Sequence, residues 1–404
     1  MCTRPLTIRL PPNPYERSIG ITTPKVMQVP CGKCPECLAK RQKDISIRAY
    51  REALKFGSCY FLTLTYSPEH VPFAETLYSI DTTTGDVNVD KSSRICQSDM
   101  LDFLRKDYKG KQGLYVHEHH IATLEDTDFT VVYTPTLNYT DVRLKIKNFR
   151  VKWQREFGEK LPKFSYICVG EYGSKNSIRP HYHILVFGLS YSQVLYFKNM
   201  WDYGFSLLET VNFRNSDGSD GLAKVASYIG KYAAKGSFVP RTVRERLTVP
   251  CRLSASRGLG LDSLQKIKDY VCCFDIYGKY DINNYNFTEE KKSQLFQNVI
   301  DRLFYNFNGY NCALPNSICK KIFDYKSVDG VSCWSRLFYE VMAFKRGKYQ
   351  EICDREFREF IDKHSDIPLS EACTLFENIR SADLQIRERS ERERLSKFYS
   401  KSKL

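Results

Sequence analysis

The chain has 404 residues, with Lys and Arg (61) outnumbering Asp and Glu (47) for a formal net charge of +14. Hydrophobic residues at 42% and aromatics at 14% are enough for a sizeable core, which excludes wholesale disorder and collagen-like structure. No apolar run of about 18 residues and no apolar leader occur, so neither a membrane-spanning helix nor a secretory signal is expected.

The length suggests two or three domains. The basic balance favours polyanionic partners, through release of counterions condensed on a phosphate backbone. Twenty-seven tyrosines and 25 phenylalanines add ring faces that can stack on unpaired bases, although most such rings belong in cores. Fifteen cysteines without an export signal read as reduced thiols and a metal site rather than a disulfide framework.

Residues 1–30 are Pro-rich and irregular. Cys31, Cys34 and Cys37 follow at the short intervals of metal-binding loops, one ligand short of a tetrahedral structural Zn²⁺ site that Cys2 or Cys59 could complete. The competing reading is a set of reduced thiols in a Gly/Pro-rich loop. Leu38 to Phe56 reads as a basic helix stopped by Gly57. Cys59 to Tyr66, rich in β-formers, predicts a buried strand ended by Ser67-Pro68.

Residues 67–140 are weakly patterned and are taken as an insertion, with a turn near Gly85-Asp86 and a strand at 129–135. A helix is expected from Asp141. Between Arg143 and Lys163 eight basic residues face two acidic ones, either a phosphate-contacting surface or a solvated helix face. Residues 164–172 and 181–187 predict two antiparallel strands joined by the loop 173–180. A helix at 192–201, a strand at 205–213 and a helix at 221–235, with Gly236 as its cap, come next. The segment 249–260 reads as a loop with two close glycines. Beyond residue 265 the spacing is mainly helical and ends in a charged tail. The expected division is a Cys-rich basic segment at 1–58, a catalytic domain at 59–265 and a helical accessory region at 266–404.

Three groups of residues carry chemistry. His181 and His183 stand at i and i+2 on a predicted strand, so both imidazoles share one face and can reach one cation. His117, His119 and His120 repeat that spacing in a polar, poorly patterned segment and are the weaker candidates. Across the expected hairpin, Glu171 falls opposite His181 and can complete a two-His, one-carboxylate site with open positions, unless it is a surface carboxylate beside the turn. Finally, Tyr228, Lys231, Tyr232 and Lys235 follow the i, i+3, i+4, i+7 pattern of one helix face, where amphipathic tyrosines with snorkelling lysines are the alternative. Phenols near ammonium groups and a divalent cation suggest phosphodiester transesterification through a covalent link to DNA.

These residues also carry a resemblance. FLTLTY at 61–66, RPHYHILVFG at 179–188 and YIGKYAAK at 228–235 stand in the order of the three motifs of HUH endonucleases. Over roughly residues 28–262 the chain resembles rolling-circle replication initiators, more narrowly those of gokushovirus-type phages of the Microviridae, to which VPCGKCPECLAKRQ and VPCRLSASRGLG are also similar. The resemblance implies an α+β fold with a central antiparallel sheet and helices packed on it, related to the ferredoxin or RNA-recognition topology. It implies that His181 and His183, with Glu171 as third ligand, hold Mg²⁺ or Mn²⁺. It makes Tyr228 and Tyr232 the paired nucleophiles, with Lys231 or Lys235 balancing charge. The implied product is a 5′-phosphotyrosine and a free 3′-hydroxyl. The implied partners are single-stranded and origin DNA and host helicase and polymerase, in the bacterial cytoplasm and away from membranes. A plasmid initiator or relaxase, and a non-catalytic basic DNA-binding protein with a zinc loop, are the rival readings.

Overall fold

The computed structural model describes residues 5–12, 17, 20, 22–32, 34–89, 94–97, 99–109, 111, 115–173, 179–235, 251–261, 288–307, 310–328 and 331–400. The chain divides into two compact units, residues 45–260 and residues 1–44 with 261–404.

The first unit is built on a five-stranded antiparallel sheet. Its strands, in chain order, are β3 (Cys59–Tyr66), β9 (Ser165–Tyr172), β10 (Pro180–Phe187), β11 (Gly204–Thr210) and β12 (Leu253–Ala255), in the spatial order β11-β3-β10-β9-β12. Strand β10 is therefore central. The α+β class expected from the sequence is the class observed. Alternation decides what each side of the sheet holds. Leu62, Leu64 and Tyr66 of β3 and Tyr182, Ile184 and Val186 of β10 join one core with Val142, Ile146, Phe149 and Trp153 of α3 (Tyr139–Phe157) and Val194 and Phe197 of α4 (Tyr191–Asn199).

Local chemistry sets those helix ends. Asn138 accepts from the Thr140 amide at the start of α3, and Gly158 closes it in the left-handed conformation at φ 71°. Ser190 and Gln193 form a reciprocal capping box on α4. The basic residues Arg143, Lys147, Arg150, Lys152 and Arg155 lie on the exposed side of α3.

Odd-numbered residues of β3, β9 and β10 point to the opposite face. That face is met by α5 (Gly221–Lys235), whose Tyr232 ring lies on His183 of β10. The helix α1 (Pro35–Phe56) belongs to this unit from Ile45 onward and grips the loop after β12. The guanidinium Nε atoms of Arg48 and Arg51 donate to the carbonyls of Leu259 and Gly260, and the buried Glu52 carboxylate accepts from the Gly260 amide at 2.6 Å. Gly260 has φ +71°, and a Cβ there would stand 2.6 Å from the Arg48 Cα. Gly260→Ala is expected to destabilise the protein by about 2–3 kcal/mol, through left-handed strain and a clash with helix backbone. The check is a lowered urea midpoint at unchanged slope.

The segment 67–140 forms a second antiparallel sheet, which sequence patterning did not reveal. Strands β4 (Phe73–Asp81), β5 (Val87–Val89), β7 (His117–Leu124) and β8 (Thr127–Pro135) are ordered β5-β4-β8-β7, and β6 (Arg94–Ile95) pairs with β4. The expected turn near Gly85 and the strand at 129–135 are both present. The helix α2 (Met100–Tyr108) buries Leu104 and Tyr108.

In the other unit, β1 (Leu6–Leu10) and β2 (Lys25–Val29) form an antiparallel pair that leads into the start of α1. Its apolar core includes Phe296, Val299 and Ile300 of α6 (Glu289–Arg302), Ile318 and Ile322 of α7 (Asn316–Ile322) and Val341 of α8 (Arg336–Lys363). The long α9 (Leu369–Ser400) carries the charged tail. Two short hairpins, Phe304–Phe307 with Tyr310–Ala313 and Lys326–Val328 with Val331–Cys333, interrupt this mainly helical region.

Candidate active site

The pairing of β10 fixes the donors. His181 lies directly opposite Glu171 of β9 and Thr65 of β3, while His183 lies opposite Val169 and Thr63. Glu171 Oε2 stands 3.7 Å from His181 Nε2 and 3.5 Å from His183 Nε2. One ligand atom from each of the three side chains lies within 4.8 Å of the others.

The chemistry of this donor set fits a divalent cation. His181 Nδ1 is 3.1 Å from the Arg179 carbonyl, which can only accept, so the ring proton sits on Nδ1 and Nε2 turns its lone pair toward the Glu171 carboxylate. His183 Nδ1 is engaged by the Thr63 hydroxyl at 3.2 Å, leaving its Nε2 on the same side. Burial pushes the His181 pKa down. It also pushes that of His183, with His181 beside it, down to about 3, so both rings are neutral at physiological pH. Neutral imidazole lone pairs aimed at a buried carboxylate repel it unless a cation lies between them. Two nitrogens and one oxygen suit Mn²⁺ better than Mg²⁺, which prefers oxygen.

The tyrosine pair meets this group from α5. The Tyr232 ring stacks on His183 with centroids 4.6 Å apart and planes at 29°. Tyr228 meets His183 edge-on at 6.2 Å and Phe61 at 5.7 Å. The two phenols, one helical turn apart, are hydrogen bonded, the Tyr232 hydroxyl donating to the Tyr228 oxygen. Their environments differ. Tyr232 is 7% exposed and Tyr228 is 40% exposed. Burial, followed by the bond to Tyr228, pushes the Tyr232 pKa well above the usual phenol range. Lys231 is buried, its Nζ lies 5.9 Å from the centre of the Tyr228 ring, and desolvation lowers its pKa.

The structure thus gathers Glu171, His181, His183, Tyr228, Lys231 and Tyr232 on one face of the sheet. The side chain of Lys235 lies outside the described residues, as does Gly236. His117, His119 and His120 do not join a metal-compatible group among the described residues; they sit on β7, paired with Tyr133, Val131 and Thr130. Three participants were not singled out from sequence. Thr63 and Phe61 belong to the recognised FLTLTY segment, and their roles follow once β3 is registered against β10, where Phe61 stacks on His183 at 5.5 Å. The Arg179 carbonyl acts through backbone and leaves no side-chain signal.

The cysteine group lies in the other unit. Thiols of Cys31, Cys34 and Cys37 also fall within 4.8 Å of one another. Cys59 is buried in β3 and is not part of that group, and Cys2 lies outside the described residues.

Residues 128–237 match the family model of the replication-associated protein ORF2, a span that includes all six gathered side chains. The chain is 26% identical over 160 residues to the replication-associated protein ORF4 of Chlamydia phage 1, covering 40% of this chain and 24% of the relative. It is 24% identical over 222 residues to the replication-associated protein VP4 of Bdellovibrio phage phiMH2K, covering 51% of this chain and 48% of the relative. The matches thus span about a quarter and a half of these two curated proteins. No solved structure matches. The resemblance to gokushovirus-type replication proteins drawn from the three motifs is borne out.

Proposed function

We propose that this chain initiates rolling-circle replication of a phage genome in the host bacterial cytoplasm. It nicks single-stranded or origin DNA by tyrosine transesterification and later rejoins the ends. The observation that carries this reading is the meeting of a two-His, one-carboxylate donor set and a tyrosine pair on one sheet face. The replication-associated relatives support it.

In this reading Tyr228 attacks first, because it is the exposed member of the pair and its oxygen accepts the Tyr232 hydroxyl. As Tyr228 gives up its proton, that donated hydrogen bond and the Lys231 ammonium steady the phenolate. The phenolate oxygen bonds to phosphorus and the preceding 3′-oxygen leaves, taking up a proton. One P–O ester replaces another, so the step needs no energy source and runs in reverse to reseal DNA. A divalent cation held by His181, His183 and Glu171 supplies Lewis-acid polarisation of a phosphate oxygen. Glu171 offsets its charge, while Thr63 and the Arg179 carbonyl hold the imidazoles in the binding tautomer. Tyr232 then serves as a second nucleophile for the closing strand exchange. The released 3′-hydroxyl primes a host polymerase, with a host helicase opening the duplex.

The test is direct. Protein, Mn²⁺ and a labelled single-stranded oligonucleotide should yield a DNA–protein band that survives denaturant. Tyr228→Phe combined with Tyr232→Phe should abolish it. Cleavage by the double variant at the wild-type rate would refute the assignment, and DNA binding without any adduct in the wild type would leave a non-catalytic binder.

A further inference from the structure

The cysteine group shares nothing with the chemistry above and has its own geometry. Cys31, Cys34 and Cys37 bring three sulfurs within 4.8 Å of one another. No disulfide is present among the described cysteines. The Cys34 amide donates to Cys31 Sγ at 3.2 Å. An amide aimed at the sulfur three residues earlier stabilises a thiolate, and it forms only when the Cys-x2-Cys segment folds into a tight turn. Gly32 permits that turn with φ +73°.

The helix that follows adds to this. Helix α1 begins at Pro35, and the Leu38 amide already bonds to the Cys34 carbonyl. Cys37 therefore sits in the first helical turn, where unpaired amides and the positive end of the helix dipole favour negative sulfur. Lys40 and Arg41 follow in sequence and favour it further. Three thiols drawn together, one of them 6% exposed, repel one another once ionised unless a cation binds them. An all-sulfur donor set selects a softer cation than does the His/Glu group.

We propose that Cys31, Cys34 and Cys37 form a thiolate site for Zn²⁺. It ties the exit of β2 to the first turn of α1 and leaves one tetrahedral position for a fourth donor. This site stands independently of the nicking reaction and would survive its refutation.

The experiment uses the full chain, purified under reducing conditions from zinc-supplemented medium. Elemental analysis should find about one Zn²⁺ per chain after exhaustive dialysis. Replacement with Co²⁺ should produce the near-ultraviolet charge-transfer bands of cobalt thiolates. Cys34→Ala should lose both signals, and Cys373→Ser, in α9, should keep them. The wild-type cobalt spectrum reads the site even if Cys34→Ala fails to fold. Reduced wild-type protein that holds no zinc and develops no cobalt–thiolate bands overturns the proposal. So does a disulfide between two of the three cysteines, or bound iron with the visible absorption of an iron–sulfur cluster.

Discussion

Tyr228→Phe alone should lower the rate of covalent adduct formation on single-stranded DNA by on the order of 10³-fold or more, since the reacting oxygen is removed. Tyr232→Phe should be milder for the first cut, about ten- to a hundredfold. It deletes a hydrogen bond onto a developing phenolate but leaves the attacking oxygen in place. The asymmetry rests on packing. Tyr232 lies under the His183 imidazole with its hydroxyl turned to Tyr228, while Tyr228 stands 40% exposed at the surface of the same helix. Peptide mapping of the trapped adduct should place the nucleotide on Tyr228. An adduct carried mainly by Tyr232, or a Tyr232→Phe protein inert in the first cut beside an active Tyr228→Phe protein, would reverse the order of attack. In the resealing step, assayed with a pre-nicked substrate, Tyr232→Phe should show the greater loss.

His181→Ala should separate chemistry from binding. It removes one of two nitrogen donors and should cut metal-dependent nicking by about 10²–10⁴-fold. His181 is the better choice for this test than His183, whose ring is packed between Phe61 and Tyr232 and whose loss would also open a gap. Affinity for single-stranded DNA should persist and should still fall linearly with the logarithm of salt concentration. Raising Mn²⁺ should recover part of the lost rate by mass action. Nicking by His181→Ala at the wild-type rate across the Mn²⁺ titration would remove the imidazoles from the mechanism.

The hairpin of β9 and β10 was legible because both strands are dense in β-branched and aromatic residues and the short intervening loop fixes the count between them. The expectation that Glu171 faces His181 needed only that count. The helical spacing of Tyr228 and Tyr232 was equally plain, yet their difference in exposure was not. Residues at i and i+4 share a face, and how deeply each sits depends on the strand below, which periodicity does not encode. The second sheet escaped for another reason. Strand β7 is mostly exposed and carries no alternation of apolar and polar residues, so its only signal is its pairing with β8. Strand β12 is three residues long, too short to rise above the loop that contains it. In the mainly helical region, the two hairpins are held by turns and edge pairing rather than by a buried face, and leave a similarly faint trace.

Strand β10 serves two sides at once. Tyr182, 0% exposed, sits among Tyr66, Tyr139 and Trp201 and receives the Asn138 amide on its hydroxyl, while the histidines on either side of it hold the donor face. Inserting or deleting a single residue between 180 and 187 would turn the strand over, sending the imidazoles under α3 and the phenol toward Glu171. The metal donors therefore cannot be grafted elsewhere as a loop. Any fragment engineered to carry them must bring along the hydrophobic layer beneath, and thermal loss of nicking should coincide with melting of the sheet rather than precede it.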